Sequence, residues 1–288
     1  MKILWLGWED AYTPQRMRSA AFKLGIELDT LEISELTFIT AGVQVGVYHC
    51  GQDIVKTYEL LIARTFYPYI SEALTVARLF HAAGKRVVDA SLTDEGFVVS
   101  KMHDYLILAQ NGIRVPRTWQ MSDTAKLAQI ANDIGYPCVL KGIHGSHGTH
   151  VYLVHNDGEL ASLVSKYPRG ELMLQEYLPA PEDYRLMVLG YHALPMMVCR
   201  QPAEGDFRTN VGLGHSVNAR PVADYDGLAA MAEKSARVLR REFAGVDIRF
   251  QNNTPVVLEV NRRPIFENYE TVTGIDVAGA FLKYVSTV

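Results

Sequence analysis

Residues 245–261, GVDIRFQNNTPVVLEVN, constrain the fold more than any other stretch of the chain. Residues 246–250 alternate between apolar and polar, and residues 255–260 form a second apolar run. The Asn252-Asn253 pair between the two runs is typical of a tight two-residue turn. The pattern therefore predicts two antiparallel strands that form a β-hairpin.

The hairpin places three oxygen-bearing side chains near one another. Asp247 stands near the start of the first strand, whereas Glu259 and Asn261 end the second strand two residues apart and so share a face. Carboxylate and amide oxygens suit Mg²⁺, which usually binds one or two carboxylates together with substrate phosphates. The residues alone leave an alternative open, in which Asp247 caps a turn and Glu259 pairs with a nearby arginine. The metal interpretation requires a nucleotide site elsewhere in the chain.

Composition indicates an ordinary globular protein of two or three subdomains, with 288 residues of which 48% are hydrophobic and 21% charged. A net charge of −4 gives no basic stripe, so we expect no nucleic-acid partner. The N-terminal apolar run soon turns acidic, which predicts a strand and not a signal peptide, and no segment is long enough to cross a bilayer. The widely spaced Cys50, Cys138 and Cys199 fit small buried side chains in a reducing cytoplasm.

The order of predicted elements indicates an α/β (α+β) protein in three parts. Residues 1–97 alternate short strands and helices, which predicts a mostly parallel open sheet, and no G-x-G-x-x-G follows the first strand. Residues 98–174 mix helices and strands. Residues 175–288 are rich in strands, with long helices predicted over 226–243 and 274–284.

A lysine and a glycine-containing loop form a candidate phosphate site. Lys141 ends an apolar strand, and a loop with Gly145, Ser146 and Gly148 follows it. Loop amides can wrap phosphate oxygens while the lysine supplies a point charge. The P-loop pattern is absent, so a surface lysine beside a turn is the alternative. Lys101, on the preceding predicted helix, is a second candidate, although taken alone a surface role explains it better.

A strand and a proline-rich turn form a candidate link between two lobes. Backbone groups of Glu176 and Tyr177 can contact an adenine edge, and Asp183 can bind ribose hydroxyls. An edge strand with a turn is the alternative. Arg185, Arg200, Arg208 and Asn210 lie on or beside later strands, where guanidinium groups bind phosphate or carboxylate, or form structural salt bridges.

The spacing of His144, His147 and His150 permits a zinc site, but a glycine-rich loop holds a metal poorly. No Cys/His or Ser/His/Asp arrangement indicates a nucleophilic enzyme.

The segments occur in an order that resembles the ATP-grasp superfamily, and within it the RimK-like carboxylate–amine ligases. After Lys101 come VLKG with its glycine loop, QEYL, DYR, EGDFRTN, GVDI and LEVN. The resemblance runs from about residue 98 to the C-terminus. It implies an ATP-grasp fold with nucleotide between a central lobe, 98–174, and a C-terminal lobe, 175–288, after an N-terminal domain, 1–97.

The resemblance also implies a mechanism. The γ-phosphate of ATP passes to a substrate carboxylate, and an amine attacks the resulting acyl phosphate to give an amide, ADP and phosphate. Asp247, Glu259 and Asn261 match the family's Mg²⁺ ligands, with Mn²⁺ as a substitute ion. Lys101 and Lys141 match its phosphate-binding lysines.

Further positions match the family's nucleotide and transfer sites. Glu176 and Tyr177 match the adenine hinge, and Asp183 matches a nucleotide-contacting acid. Residues 145–148 would form a mobile lid that excludes water. Arg208 and Asn210 match a pair of residues near the transferred phosphate. Arg200 matches a further arginine of the site.

Two features depart from the ribosomal-protein ligases of this group. After the LEVN segment the chain continues with Arg262, Arg263 and a bulky IFEN segment. The glycine loop reads GSHGTHV, where a glycine and a basic residue are common in the group. We hypothesise that Arg262 or Arg263 binds an acidic group of a substrate. The chain resembles the amino-acid-biosynthesis ligases more closely at this point.

We therefore predict an ATP- and Mg²⁺-dependent ligase for an amino acid or peptide, with a protein tail as a further acceptor class. We also expect a cytoplasmic homo-oligomer without membrane or nucleic-acid partners. The alternatives are a non-catalytic nucleotide-binding module and an ATP-grasp enzyme with a non-amide product.

Overall fold

The structure is a computed structural model that describes residues 1–7, 12–65, 67–121, 123, 126–143, 150–167, 171–209 and 216–287. Gly145, Ser146, Gly148 and Asn210 lie outside the described residues, as do His144 and His147. Among the helices that are described, none combines the length and apolar character needed to cross a bilayer.

The N-terminal part is built on a parallel sheet, as predicted. Its elements are β1 (Lys2–Leu6), α1 (Tyr12–Leu24), β2 (Glu27–Leu31), β3 (Thr37–Ala41), β4 (Gln44–His49), β5 (Gln52–Asp53), α2 (Ile54–Thr57), β6 (Leu60–Ala63), α3 (Ile70–Ala82) and β7 (Arg86–Val88). The parallel strands follow the order β2-β1-β6-β7, and β3-β4-β5 form a small antiparallel sheet. Both faces of β1 are covered, since Ile3 and Trp5 pack into one core and Leu4 and Leu6 into another.

The central part is an antiparallel sheet with helices on one side. Its elements are α4 (Lys101–Gln110), β8 (Thr118–Gln120), α5 (Leu127–Ile134), β9 (Cys138–Gly142), β10 (Val151–Val154), α6 (Asp157–Val164) and β11 (Leu172–Glu176). The strands follow the order β10-β9-β11-β8. Leu127, Leu140, Leu160 and Leu174 pack together in the core of this sheet.

Helix α4 packs elsewhere than expected. Leu108 and Ile113 belong to the core under the C-terminal sheet and not to the core of the central sheet. Strand β11 runs to Glu176 inside the central sheet, two residues beyond the expected limit of that lobe. We therefore propose that the central lobe is bounded near residues 116 and 177.

The C-terminal part is a five-stranded antiparallel sheet. Its elements are β12 (Asp183–Leu189), β13 (His192–Gln201), β14 (Ser216–Pro221), α7 (Leu228–Val238), β15 (Phe243–Gln251), β16 (Thr254–Asn261), α8 (Glu267–Thr273) and α9 (Val277–Thr287). The strands follow the order β14-β13-β12-β15-β16. The prediction of a long helix over 226–243 is wrong at its C-terminal end. Helix α7 ends at Val238, Arg240 has a φ of 52°, and Phe243 already begins β15.

The predicted hairpin is confirmed. Strands β15 and β16 pair antiparallel, with Gln251 opposite Thr254 across the Asn252-Asn253 turn. Both asparagines have positive φ, 50° and 61°, which is the geometry of a type I′ turn that Asn tolerates. Gly245, opposite Asn261, allows Pro264 to approach, because a Cβ there would lie 2.9 Å from the Pro264 Cβ.

Candidate active site

One face of the C-terminal sheet is apolar, and the other carries both a cluster of charged side chains around Asp247 and apolar side chains that pack on the N-terminal part. On β15, Val246 and Ile248 pack into the core against α7, so the alternating Asp247 and Arg249 face the opposite way. Arg185, on the neighbouring strand β12, stands directly opposite Asp247. The charged face therefore follows from strand periodicity in several strands at once.

The structure brings the three predicted metal ligands together. Asp247 and Glu259 are direct cross-strand partners, and the register shifts immediately after Asp247. The Asn261 Nδ2 donates to the Asp247 Oδ2 at 3.2 Å. Antiparallel pairing thus places two carboxylates and one amide at the same end of the hairpin, although their role as ligands stays a prediction.

Arginines hold Asp247 from two neighbouring strands. Arg185 donates Nε and Nη2 to its two carboxylate oxygens at 2.7 and 2.6 Å, and the Arg200 Nη2 lies 2.9 Å from Oδ1. Burial alone would raise the pKa of Asp247, but Arg185 and Arg200 lower it to about 2. The carboxylate is therefore ionised throughout the physiological range. The alternative to a metal site was an arginine paired with Glu259, and in the structure the arginines pair with Asp247 instead.

Arg200 links two acids of the site. Its Nε donates to the Asp183 Oδ1 at 2.7 Å, and Thr209 donates its hydroxyl to the other oxygen of Asp183. The Arg200 side chain is buried, which opposes its charge, yet Asp247 and Asp183 raise its pKa. Sequence reasoning did not identify Thr209, which is the last described residue of the loop after β13.

The two predicted phosphate lysines lie beside the hairpin. The Lys101 Nζ is 3.8 Å from a Glu259 carboxylate oxygen. Burial and then the charge of Lys101 lower the pKa of Lys141 to about 8, while Glu259 partly opposes the shift. The central sheet and α4 therefore bring positive charge to the end of the hairpin.

The predicted hinge is partly engaged in other contacts. The Glu176 carboxylate accepts hydrogen bonds from the Arg117 N–H and Nε at 2.8 and 2.9 Å, and the Glu176 N–H donates to the Arg117 carbonyl. The Tyr177 ring meets Phe207 edge-on, with centroids 6.1 Å apart. The Glu176 side chain and N–H are thus bonded to Arg117. An adenine contact at the hinge would have to use its other groups.

Arg208 is held within its own loop. Its backbone N–H, Nε and Nη2 all donate to Asp206, at 2.9, 3.0 and 2.8 Å, and this pairing lowers the pKa of Asp206 to about 2. Tyr152 of the central sheet is close enough to influence the charge of Arg208. Arg208 therefore lies where the central and C-terminal sheets approach each other. The remaining loop histidine that is described, His150, contacts the Tyr167 hydroxyl at 2.9 Å.

The donor set fits Mg²⁺. Asp247, Glu259 and Asn261 offer only oxygen atoms as ligands, and Mg²⁺ binds one or two carboxylates while substrate phosphates supply further ligands. Within the described residues no three His, Cys, Asp or Glu side chains cluster as a metal cage.

A second charged cluster joins the N-terminal sheet to the end of β16. Arg262 donates to Asp89 at 3.2 Å and to Ser91 at 3.1 Å, and its guanidinium lies over the Phe97 ring. Arg64 donates to the same Asp89 at 2.9 Å and to the Arg262 carbonyl. Burial and nearby cations lower the pKa of Arg262 to about 10. Arg262 therefore has a structural role that sequence reasoning missed.

Arg263 points to a different neighbour. Its Nη1 donates to the Thr65 Oγ1 at 3.0 Å, at the carboxyl end of β6. In open parallel sheets, ligands bind outside the carboxyl ends of the strands. Of the two arginines, Arg263 is the better placed to meet a substrate.

Comparisons with known proteins identify the family of this chain and related structures. The model of the RimK-like ATP-grasp domain matches residues 99–285. A protein of Shewanella loihica named "Probable alpha-L-glutamate ligase" is 28% identical, over 96% of this chain and 92% of its own. A protein of the same name from Trichodesmium erythraeum is 27% identical, over 99% of this chain and 95% of its own.

Solved structures share the fold. The ATP-grasp ligase PsnB complexed with a minimal precursor superposes with a TM-score of 0.74 at 17% identity, covering 99% of each chain. The D-alanine–D-alanine ligase of Bacillus anthracis gives a TM-score of 0.68 at 16% identity, covering 100% of this chain and 97% of its own. With the family model matched over most of the chain, this protein belongs to the RimK-like ATP-grasp family of ligases.

Proposed function

We propose that this protein uses Mg²⁺ and ATP to join the carboxylate of one amino acid or peptide to the amine of another, and that one of the two substrates is acidic. The observation that carries the proposal is the positive charge gathered around Asp247 and Glu259. Five cations, Lys101, Lys141, Arg185, Arg200 and Arg249, surround three carboxylates, Asp183, Asp247 and Glu259. The surplus of positive charge suits the polyphosphate of a nucleotide.

The residues divide the work of phosphoryl and acyl transfer. Lys101 and Lys141 attract the phosphates, and Arg208 stabilises charge on the acyl phosphate. Mg²⁺, when bound to Asp247, Glu259 and Asn261, would neutralise phosphate charge. The bond from the γ-phosphorus to the bridging oxygen breaks as the substrate carboxylate attacks. The amine then displaces phosphate and forms the amide, in a site from which water must be excluded.

A phosphate-release assay with ATP and Mg²⁺ tests the reaction. We propose to screen amino acids and dipeptides, followed by mass spectrometry of any product. Phosphate release that depends on an amine supports the ligase. Release without any amine would favour a non-amide product, and nucleotide binding without release would favour a non-catalytic module.

Glu259→Ala tests the predicted metal site. We expect turnover to fall by roughly two orders of magnitude or more, as when an enzyme loses a group that stabilises transition-state charge. The ion pair of Glu259 with Lys101 is a long one, 3.8 Å, so unfolding should remain cooperative. Urea denaturation followed by circular dichroism measures this. An unfolded variant would mean that Glu259 has a structural role instead.

The acidic substrate is supported by the relatives named as alpha-L-glutamate ligases and by Arg263. We expect Arg263→Ala to raise the KM for the acidic substrate by about 10-fold or more, because a charged hydrogen bond contributes roughly 1.5–3 kcal/mol. The KM for ATP should stay within about twofold. A change in the KM for ATP alone would contradict the assignment. Arg262→Ala should instead lower stability, because Arg262 pairs with buried Asp89.

A further inference from the structure

We propose that Arg249 is a further nucleotide-binding residue, whose guanidinium donates to the first phosphate of ATP. The inference rests on the proposed function and adds a contact that sequence reasoning did not identify. The evidence is the position of Arg249 among predicted nucleotide contacts, together with the incomplete pairing of its buried guanidinium.

Arg249 lies between the hinge and the phosphate lysines. It follows the predicted metal ligand Asp247 by two residues on β15 and so shares its face. Its Nη1 donates to the carbonyl of Leu178, directly after the hinge, at 2.8 Å. Its charge also acts on Lys141. A nucleotide that spans from the hinge to the lysines would have to pass this guanidinium.

Arg249 forms a long ion pair with Asp183. The side chain is 9% exposed, and its Nη2 lies 3.8 Å from the Asp183 Oδ2, beyond hydrogen-bonding distance. Its buried Nε has no hydrogen-bond partner among the described residues. Asp183 is meanwhile held by Arg200 and Thr209.

Burying a charged group without a close partner is unfavourable, so a protein that keeps one there gains from a ligand that completes the pairing. Phosphate oxygens match the planar fork of a guanidinium. The Leu178 carbonyl holds Nη1 of Arg249, which leaves Nη2 to meet the first phosphate.

Calorimetric titration of the whole protein with Mg²⁺·ADP and, separately, adenosine tests the assignment without any turnover. We expect Arg249→Met to weaken ADP binding by about 10-fold or more, in line with the loss of a charged hydrogen bond. Adenosine binding should change by less than about twofold, because adenosine carries no phosphate. Equal losses for ADP and adenosine would show that Arg249 acts only through the hinge, and would overturn the inference.

Arg86→Met is the matched control. Arg86 pairs with Glu242 and stacks on Tyr284 at the start of β7, outside the candidate site. This variant should lose stability and keep wild-type affinity for ADP. If Arg249→Met does not fold, Arg249→Lys takes its place, since it keeps the charge but not the fork. It should weaken ADP binding at least about threefold.

The two proposals can fail separately. Wild-type protein that binds no ADP would refute the proposed function and this inference with it. Wild-type protein that binds ADP and releases phosphate, beside an Arg249 variant of equal affinity for ADP, would refute only the role of Arg249.

Discussion

Lys141 ends β9 in an environment that disfavours its charge. It is partly buried, and the cations Lys101 and Arg249 lie close enough to lower its pKa, against the opposing effect of Glu259 and Asp247. Its pKa of about 8 means that a measurable fraction is neutral in mildly alkaline buffer. A bound polyphosphate favours the protonated form, so nucleotide binding and the charge of Lys141 are linked.

This linkage gives a pH prediction. Below pH 8 Lys141 is charged and nucleotide affinity should be constant. As the pH rises through the lowered pKa, binding must take up a proton, and affinity should fall by up to about tenfold per pH unit. Calorimetry in two buffers of different ionisation enthalpy measures the proton uptake. Lys141→Arg, which stays charged, should flatten the profile, and an unchanged profile in the wild type between pH 7.5 and 9 would contradict the linkage.

Local periodicity explains which site residues could be predicted. The convergence of Asp247, Glu259 and Asn261 follows partly from alternation and one turn, both of which are visible in a short segment. It also depends on the register shift after Asp247, which the sequence pattern does not reveal. The arginine pairs of Asp247 could not be found in that way, because Arg185 and Arg200 come from strands whose order is set by the whole sheet. Arg249 obeys the same alternation as Asp247 and could have been identified.

At the scale of elements, the β15–β16 turn fixes the register from Gln251–Thr254 to Ile248–Val257, and the one-residue shift that follows aligns Asp247 with Glu259. Asn253 has a φ of 61°, a conformation that costs a residue with a Cβ about 1–2 kcal/mol and that β-branched residues tolerate least. We expect Asn253→Val to lower the free energy of unfolding by about that amount, measured by urea denaturation. Asn253→Gly should be as stable as the wild type or slightly more so. Equal stability of the Val and Gly variants would argue against a type I′ turn.

The elements that sequence reasoning misplaced have a common physical cause. The apolar residues after α7 continue a helical pattern, but Arg241 and Glu242 pair with Asp104 and Arg86 on other elements, and Phe243 enters the sheet. Tertiary contacts thus end the helix, with Arg240 at positive φ. In residues 1–97, in contrast, the alternation of strands with helices was sufficient to predict the parallel sheet.

At the scale of the whole molecule, the C-terminal helix joins the last sheet to the first. Phe281 of α9 stacks on Phe243 with centroids 4.7 Å apart, and meets Trp5 of β1 edge-on at 6.3 Å. All three side chains are buried in one core. The N-terminal sheet and the C-terminal sheet are therefore packed through aromatic contacts as well as through the Arg64–Asp89–Arg262 cluster.

Phe281→Ala tests this junction. We expect a loss of about 3–5 kcal/mol in the free energy of unfolding, the usual cost of removing a buried phenyl ring. Phe22→Ala, which removes a ring that is 88% exposed, should change stability by less than about 0.5 kcal/mol. Urea denaturation of both variants beside the wild type gives the comparison. Similar losses in the two variants would mean that the junction contributes little.

The pairing of Asp247 with Arg185 and Arg200 has a consequence for how the protein meets a shortage of magnesium. The chain supplies its own counter-charges, so this carboxylate does not depend on a divalent ion for its place in the fold, unlike the ligands of small zinc domains. Under the proposed function, the fold relies on the arginines at this carboxylate and catalysis relies on Mg²⁺. In a cell depleted of the ion the protein would stay folded but inactive. Its activity could return when the ion is resupplied, without refolding.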